Sequence, residues 1–158
     1  MVPKQTIDVI STGSFSLDTA LGIGGFPLGK ISLMNVEFND YYTSFLLKIS
    51  KECISIGGKV TYIDCSDSIR SLMNHGYLNI FHREVLASNN FKLIIPDTFD
   101  KIIESIKSEF NLIIIDSIDS LRRIVDSTTF AGYAEDLCLG FNCVHKELTK
   151  KTSVVVVN

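Results

Sequence analysis

The side chains best equipped for chemistry are scattered along this chain, not grouped. Cys53, Cys65, Cys138 and Cys143 contain no Cys-x-x-Cys pair, and His75, His82 and His145 do not sit beside them, so no metal-ligand set is spelled out. Cys138 and His145 have a seven-residue separation, which a helix face permits and no more. In a reducing compartment such isolated cysteines behave as small buried apolar residues. Arg122 with Arg123, and Lys146 with Lys150 and Lys151, make local basic spots that read as solvated helix ends.

Composition bounds what these residues can serve. The chain has 158 residues, 46% hydrophobic and 21% charged, with a net charge of -3, enough apolar material for the core of one ordinary domain. Disorder, collagen-like repeats and a disulfide-stapled miniprotein are excluded. Its longest apolar runs, Leu112 to Ile115 and Val154 to Val157, fall far short of the ~20 residues of a spanning helix, so no membrane partner is expected. The opening MVPKQTIDVISTGS lacks the continuous apolar core of a secretory signal, which makes a cytoplasmic setting the expectation. A mildly acidic balance also argues against strong general affinity for nucleic acid, which needs a basic surface to displace counterions.

The elements that must position any site alternate in type. Runs rich in Ile, Val and Leu at Lys30 to Asn35, Lys59 to Asp64, Phe91 to Ile95, Leu112 to Asp116 and Ser153 to Val157 are bounded by turn formers and read as strands. Between them, helical spacing links Phe45, Ile49, Cys53 and Ile56, then Phe99, Ile102, Ile103 and Ile106, then Leu137, Phe141, Val144 and Leu148. Strands apolar on both faces and joined by crossover helices belong in a covered parallel sheet, so the fold class is α/β in three layers, α/β/α. Gly57 and Gly58 close the first long helix, Pro96-Asp97 ends a strand, and Thr12 or Ser16 is expected to cap a short helix over Leu17 to Leu21.

The segment ISTGSFSLDTALGIGGFPLGKI, Ile10 to Ile31, resembles the lead into the ATP-binding core of the RecA family of recombinases. The order that follows is similar too: a strand, a phosphate-loop region, a helix ending in GGKV, a strand YID, a strand LIIIDS and a strand SVVVVN. The resemblance runs from about Ile10 to Asn158 and implies one truncated RecA-like core domain over residues 1–158 with a mainly parallel sheet.

A phosphate loop of pattern GxxxxGK[ST] holds a nucleoside triphosphate with backbone N–H groups, a lysine and a Mg²⁺-binding hydroxyl. Laid over that pattern, Val36 and Tyr41 stand at the two glycines and Tyr42 at the lysine, while Thr43 and Ser44 keep the hydroxyl type. Val and Tyr disfavour the backbone curl that glycine permits, and Glu37 and Asp40 add negative charge to the same loop. Opposed unit charges at ~4 Å are worth about 1 kcal/mol in water and roughly 4 kcal/mol near a protein surface, so a switch from attraction to repulsion is costly. The resemblance puts a water-polarising glutamate at Ser66, which is no general base; Asp67 is adjacent but expected to point the opposite way along an extended segment. Asp116 matches the strand-end aspartate that assists Mg²⁺, and with no lysine upstream it is expected to survive as a hydrogen-bonded strand terminus or helix cap beside Ser117.

The resemblance also implies DNA-facing loops. The first is Asp126 to Tyr133, where Phe130 and Tyr133 are candidates to stack on bases and Arg122 or Arg123 to touch phosphate; the second would follow Asn158 and is expected to be missing. The helix and strand that clasp a neighbouring protomer are likewise expected to be missing. The final strand should lie beside Ile31 to Met34, leaving a hydrophobic sheet edge for a homodimer or a protein partner such as a recombinase, polymerase or other replication or repair component. The expectation is therefore a protein that is not an enzyme, a pseudo-ATPase with no cofactor and no metal. It would act through protein contacts in DNA recombination, repair or replication, as a structural subunit or a modulator. The alternatives are an ATP-independent single-stranded DNA-binding protein and a divergent ATPase that binds nucleotide by a rearranged loop using Thr43, Ser44 and Asp116.

Overall fold

The computed structural model describes residues 8–36, 41–106, 110–121, 123–124, 142 and 151–158. Five strands, β3 (Ile31–Met34), β4 (Val60–Asp64), β5 (Phe91–Ile94), β6 (Leu112–Asp116) and β7 (Ser153–Val157), form one sheet in the order β3-β7-β6-β4-β5. All four pairings are parallel, and the register sets Ile31 against Val154, Leu112 against Ser153, and Asp64 against Asp116. The three central strands are buried at every position, which is why they read as unbroken apolar runs.

Side chains on alternate sides of the sheet feed two separate cores. Val60, Tyr62, Leu112, Ile114, Val155 and Val157 face one cluster with Leu46, Leu47, Ile49 and Cys53 of α2 (Tyr42–Ser55), Ile69 of α3 (Ser68–Asn74) and Val85 of α4 (Ile80–Leu86). Ile63, Ile113, Ile115, Val154 and Val156 face the other with Ile102 and Ile106 of α5 (Phe99–Ile106) and Leu121 of α6 (Ile118–Leu121). Helices therefore cover both faces, the expected three layers. Among the described residues no helix is long and apolar enough to cross a membrane.

The helix α2 ends in the two-glycine device that its sequence announces. Gly57 takes φ +82° and donates its N–H to Ile54 O, while the Gly58 N–H returns to Cys53 O at 2.9 Å. A Cβ on Gly58 would meet Cys53 Sγ at 2.5 Å and Cys53 O at 2.8 Å, so the second glycine is required by close approach.

Two local features depart from the sequence reading. The first helix, α1 (Phe15–Ala20), begins before Leu17 and is capped by Ser14, neither Thr12 nor Ser16. Thr12 serves instead as a partner of Asp18, which accepts from Thr12 N at 2.9 Å, Thr12 Oγ1 at 2.6 Å and Ser11 Oγ at 2.7 Å. The short helices α3 and α4, and the two-residue strands β1 (Val9–Ile10) and β2 (Phe26–Pro27) paired antiparallel, leave too few periodic positions to be announced by spacing. The helix expected over Leu137 to Leu148 lies outside the described residues, apart from residue 142.

Strand β3 forms one edge of the sheet, with Leu33 62% exposed. Lys30 O and Met34 O accept from Val154 N and Asn158 N, so by alternation the backbone groups of Ile31 and Leu33 face the open side.

Candidate functional site

The strands β4 and β6 stop level with each other, which places the carboxyl groups of Asp64 and Asp116 at the C-terminal edge of the sheet, both buried. This is where parallel sheets collect ligand-binding residues, because the loops that follow the strands open there. Asp64 is committed to structure: its Oδ1 accepts from Ser68 N at 2.9 Å and its Oδ2 from Ile69 N at 3.0 Å, holding the start of α3.

Asp116 Oδ2 accepts from Tyr62 Oη at 2.5 Å and lies 2.7 Å from Ser68 Oγ, whose contact to Asp64 Oδ1 is longer at 3.2 Å. Ser68 has one proton to give, and the shorter contact takes it. The other oxygen, Asp116 Oδ1, is buried with no hydrogen-bond partner among the described residues. Burial raises the Asp116 pKa above 3.8, opposed by the hydroxyls of Tyr62 and Ser68 and reinforced by the charge of Asp64. The Tyr62 hydroxyl is driven well above 10 by the same burial and by Asp116. Asp116 thus ends β6 hydrogen-bonded to Tyr62 and Ser68, and Ser117 follows through a cis peptide.

A cleft of about 400 Å³ opens beside this pair, walled by Tyr42 and Thr43 of α2, by Ser66, Asp67 and Ser68, and by His75 and Tyr77 beyond α3. Tyr42 Oη lies 3.5 Å from Ser66 Oγ. Ser66 Oγ is also 3.2 Å from Asp64 Oδ1, and a carboxylate only accepts, so Ser66 donates to Asp64 and Tyr42 donates to Ser66. Thr43 is buried and Ser44 lies partly exposed on the next position.

Asp67 corrects an expectation. Ser66 and Asp67 line the same cleft, because the strand has already ended at Asp64 and Asp67 turns into the left-handed region at φ 63°. Its Oδ1 is held by Arg70 Nε at 3.2 Å, an ion pair within one helical turn. The Cys65 thiol next to it is pushed up to about 12 by burial and by the charges of Asp116 and Asp64, so it is no nucleophile at neutral pH.

Of the loop residues, Val36 packs against the core beside β3, and Tyr41 stands 79% exposed at the start of α2; Glu37 and Asp40 lie outside the described residues. Of the DNA-contact candidates only Arg123 is described, with Nη2 3.5 Å from Cys65 O and 3.3 Å from Ser120 Oγ; Arg122, Phe130 and Tyr133 lie outside. The partners of Asp116 escaped the sequence reading. Tyr62 carried a usable signal, since a hydroxyl on a fully buried strand must find an acceptor.

The group that the fold implies here is a Mg²⁺-bound nucleoside triphosphate. Among the described residues the lining of the cleft includes a carboxylate, Asp67, and neither lysine nor arginine, while residues 37–40 of the loop lie outside the described residues. Asp116 Oδ1 and the Thr43 hydroxyl are the groups of the kind a hard cation uses.

Comparison with known proteins identifies the family. Residues 2–144 match the model of the RecA N-terminal domain. The chain is 31% identical to Protein RecA of Malacoplasma penetrans, over 95% of this chain and 47% of that protein. It is 32% identical to Protein RecA of Ehrlichia chaffeensis, over 96% and 42% respectively. With Protein RecA of Thermus thermophilus the identity is 28%, over 98% and 44%. The chain spans a little under half the length of these relatives. The expectation of a protein that is not an enzyme is overturned by these matches, which are to a family of enzymes.

Proposed function

The chain belongs to the RecA family, and from that premise we propose that it serves DNA recombination or repair through contacts with other protein chains, as a structural subunit or a modulator of a recombinase or replication complex. The observation that carries this reading is the Tyr42 to Ser66 contact. Where the family pattern calls for an ammonium and a carboxylate, two neutral hydroxyls meet each other, and a triphosphate entering the cleft gains no charge-assisted bond from either. Among the described residues β3 is an edge strand with Leu33 exposed, which supports a role in which backbone pairing with another chain supplies the affinity.

Calorimetric titration with ATP and Mg²⁺ tests the first half: binding weaker than about 1 mM is expected, and a tighter constant overturns it. Affinity capture from the native host, followed by identification of what is held, tests the second. Retention of a recombinase or a replication component is expected, and the absence of any stoichiometric protein overturns the reading.

A second reading, nucleotide bound by a rearranged loop, is favoured by Asp116 Oδ1, which is buried without a hydrogen-bond partner among the described residues, and by Thr43 on the wall of the cleft. It predicts tight ATP binding that requires Mg²⁺ and is lost in Asp116→Asn, so the same titration separates the two.

A further inference from the structure

A second cleft, about 570 Å³, adjoins the first and shares Leu72 and Tyr77 with it. One wall is aromatic: Tyr41 and Phe45 from the start of α2, Tyr77 from the α3–α4 connection, and Phe81 from the first turn of α4. Tyr41 is 79% and Tyr77 62% exposed, and Ile80 beside Phe81 is 78% exposed. Aromatic side chains grouped on a surface in this way give large contact area at small rotamer cost, the usual composition of the anchor region of a protein interface.

The rim is cationic and donating. Lys48, which lines the cleft, and Arg83, on the adjoining turn of α4, are exposed and form no ion pair among the described residues. Their neighbour Lys51 shows the complement that this face takes, since it is held by Glu84 at 3.1 Å and lies 4.9 Å above the Phe81 ring. His82 is only 3% exposed and also lines the cleft. Its Nδ1 accepts from Asn79 N at 3.3 Å, which leaves the proton of the neutral ring on Nε2. That N–H is not among the buried atoms left without a partner, so water can reach it from the cleft. An N–H donor on the cleft lining together with an ammonium that forms no ion pair among the described residues suits an anionic acceptor.

We propose that this cleft docks an acidic segment of a partner protein. One apolar or aromatic side chain of the segment seats among Tyr41, Phe45, Tyr77 and Phe81, and an adjacent Asp or Glu carboxylate accepts from His82 Nε2 and pairs with Lys48. The inference rests on the reading that this chain works through protein contacts, and it names the chemistry of the partner. A chain carrying a net charge of -3 repels acidic segments in general, so the local cations select where such a segment lands.

The test uses the whole chain and an array of heptapeptides, each with one Phe or Leu flanked by Asp and Glu, or by Lys, or by Ser. Retention on the acid-flanked peptides is expected. Fluorescence anisotropy of the best of them should weaken about tenfold or more in Lys48→Glu and in Tyr77→Ser, and be unchanged in Lys92→Glu on the other side of the molecule. Lys48 and Tyr77 are exposed, and thermal melts matching the parent chain verify that both variants fold. No preference for acidic flanks, unchanged binding in both variants, or displacement of the peptide by an oligothymidine strand would each overturn the assignment. If a protein captured from the host stays bound in both variants, this cleft is the wrong surface while the protein-contact reading stands; if the parent chain captures no protein, that reading falls too.

Discussion

The Tyr42 hydroxyl donates to Ser66 Oγ across 3.5 Å, joining the first turn of α2 to the loop after β4. The contact is long and neutral, so the coupling energy between Tyr42→Phe and Ser66→Ala in a double-mutant cycle should be less than about 1 kcal/mol in urea denaturation. Tyr42→Lys places an ammonium opposite Ser66 and near Asp67 and should strengthen ATP binding by about tenfold over the parent chain in calorimetry. Equal affinities for parent and variant would mean that the loop before Tyr41, and not residue 42, limits binding.

Asp116 depends on two donors. Removing either one, by Tyr62→Phe or Ser68→Ala, leaves a buried carboxylate with a single hydrogen bond and should cost about 1–3 kcal/mol in denaturation midpoints. The double variant should cost less than the sum of the two if the carboxyl group then takes up a proton. A loss below about 0.5 kcal/mol in both single variants would show the network to be solvated.

Two aspartates give opposite slopes with pH. The folded pKa of Asp116 is raised above 3.8, so its stabilising contribution is complete below 3.8 and is lost as pH rises through the folded value. For Asp18, burial is outweighed by the hydrogen bonds from Thr12 and Ser11 and the pKa is lowered; its contribution is present above 3.8 and is lost as pH falls through the folded value. Relative to the parent chain, Asp116→Asn should therefore gain stability as pH rises above about 4, while the deficit of Asp18→Asn should shrink as pH falls below about 4. Urea midpoints on either side of that pH check both, and curves parallel to the parent would contradict the shifts.

Gly58→Ala forces a Cβ against Cys53 Sγ and Cys53 O at the end of α2. Neither atom is the tip of a flexible chain, so the cost should be about 2–4 kcal/mol, larger than the ~1 kcal/mol of an ordinary exposed glycine change. A thermal melt reads it directly, and relief in Gly58→Ala combined with Cys53→Ala would assign the strain to the sulfur.

The layers were legible because β4, β6 and β7 are buried on both faces and their sequences carry no polar alternation that would hide them. The Gly57-Gly58 stop was legible for the same local reason, a turn that needs those residues. Less could be read where long-range packing decides. Ser14 and Thr12 are both good caps by type, and only the pull of Asp18 on Thr12 leaves Ser14 for the helix. Ser66 and Asp67 were separated by strand geometry that ceases two residues earlier. The donors to Asp116 come from positions 62 and 68, and no pattern of adjacent letters announces a bond that spans two strands.

The strand order sets a timetable. Among the described residues the one neighbour of β3 in the sheet is β7, which lies more than a hundred residues later in the chain, while β4, β5 and β6 pair among themselves. A ribosome therefore releases the three-stranded half of the sheet long before the first long strand has anything to zip against. Until Val154 emerges, Ile31 to Met34 wait without the partner strand they pair with in the folded sheet, a largely apolar segment exposed to chance contacts during synthesis.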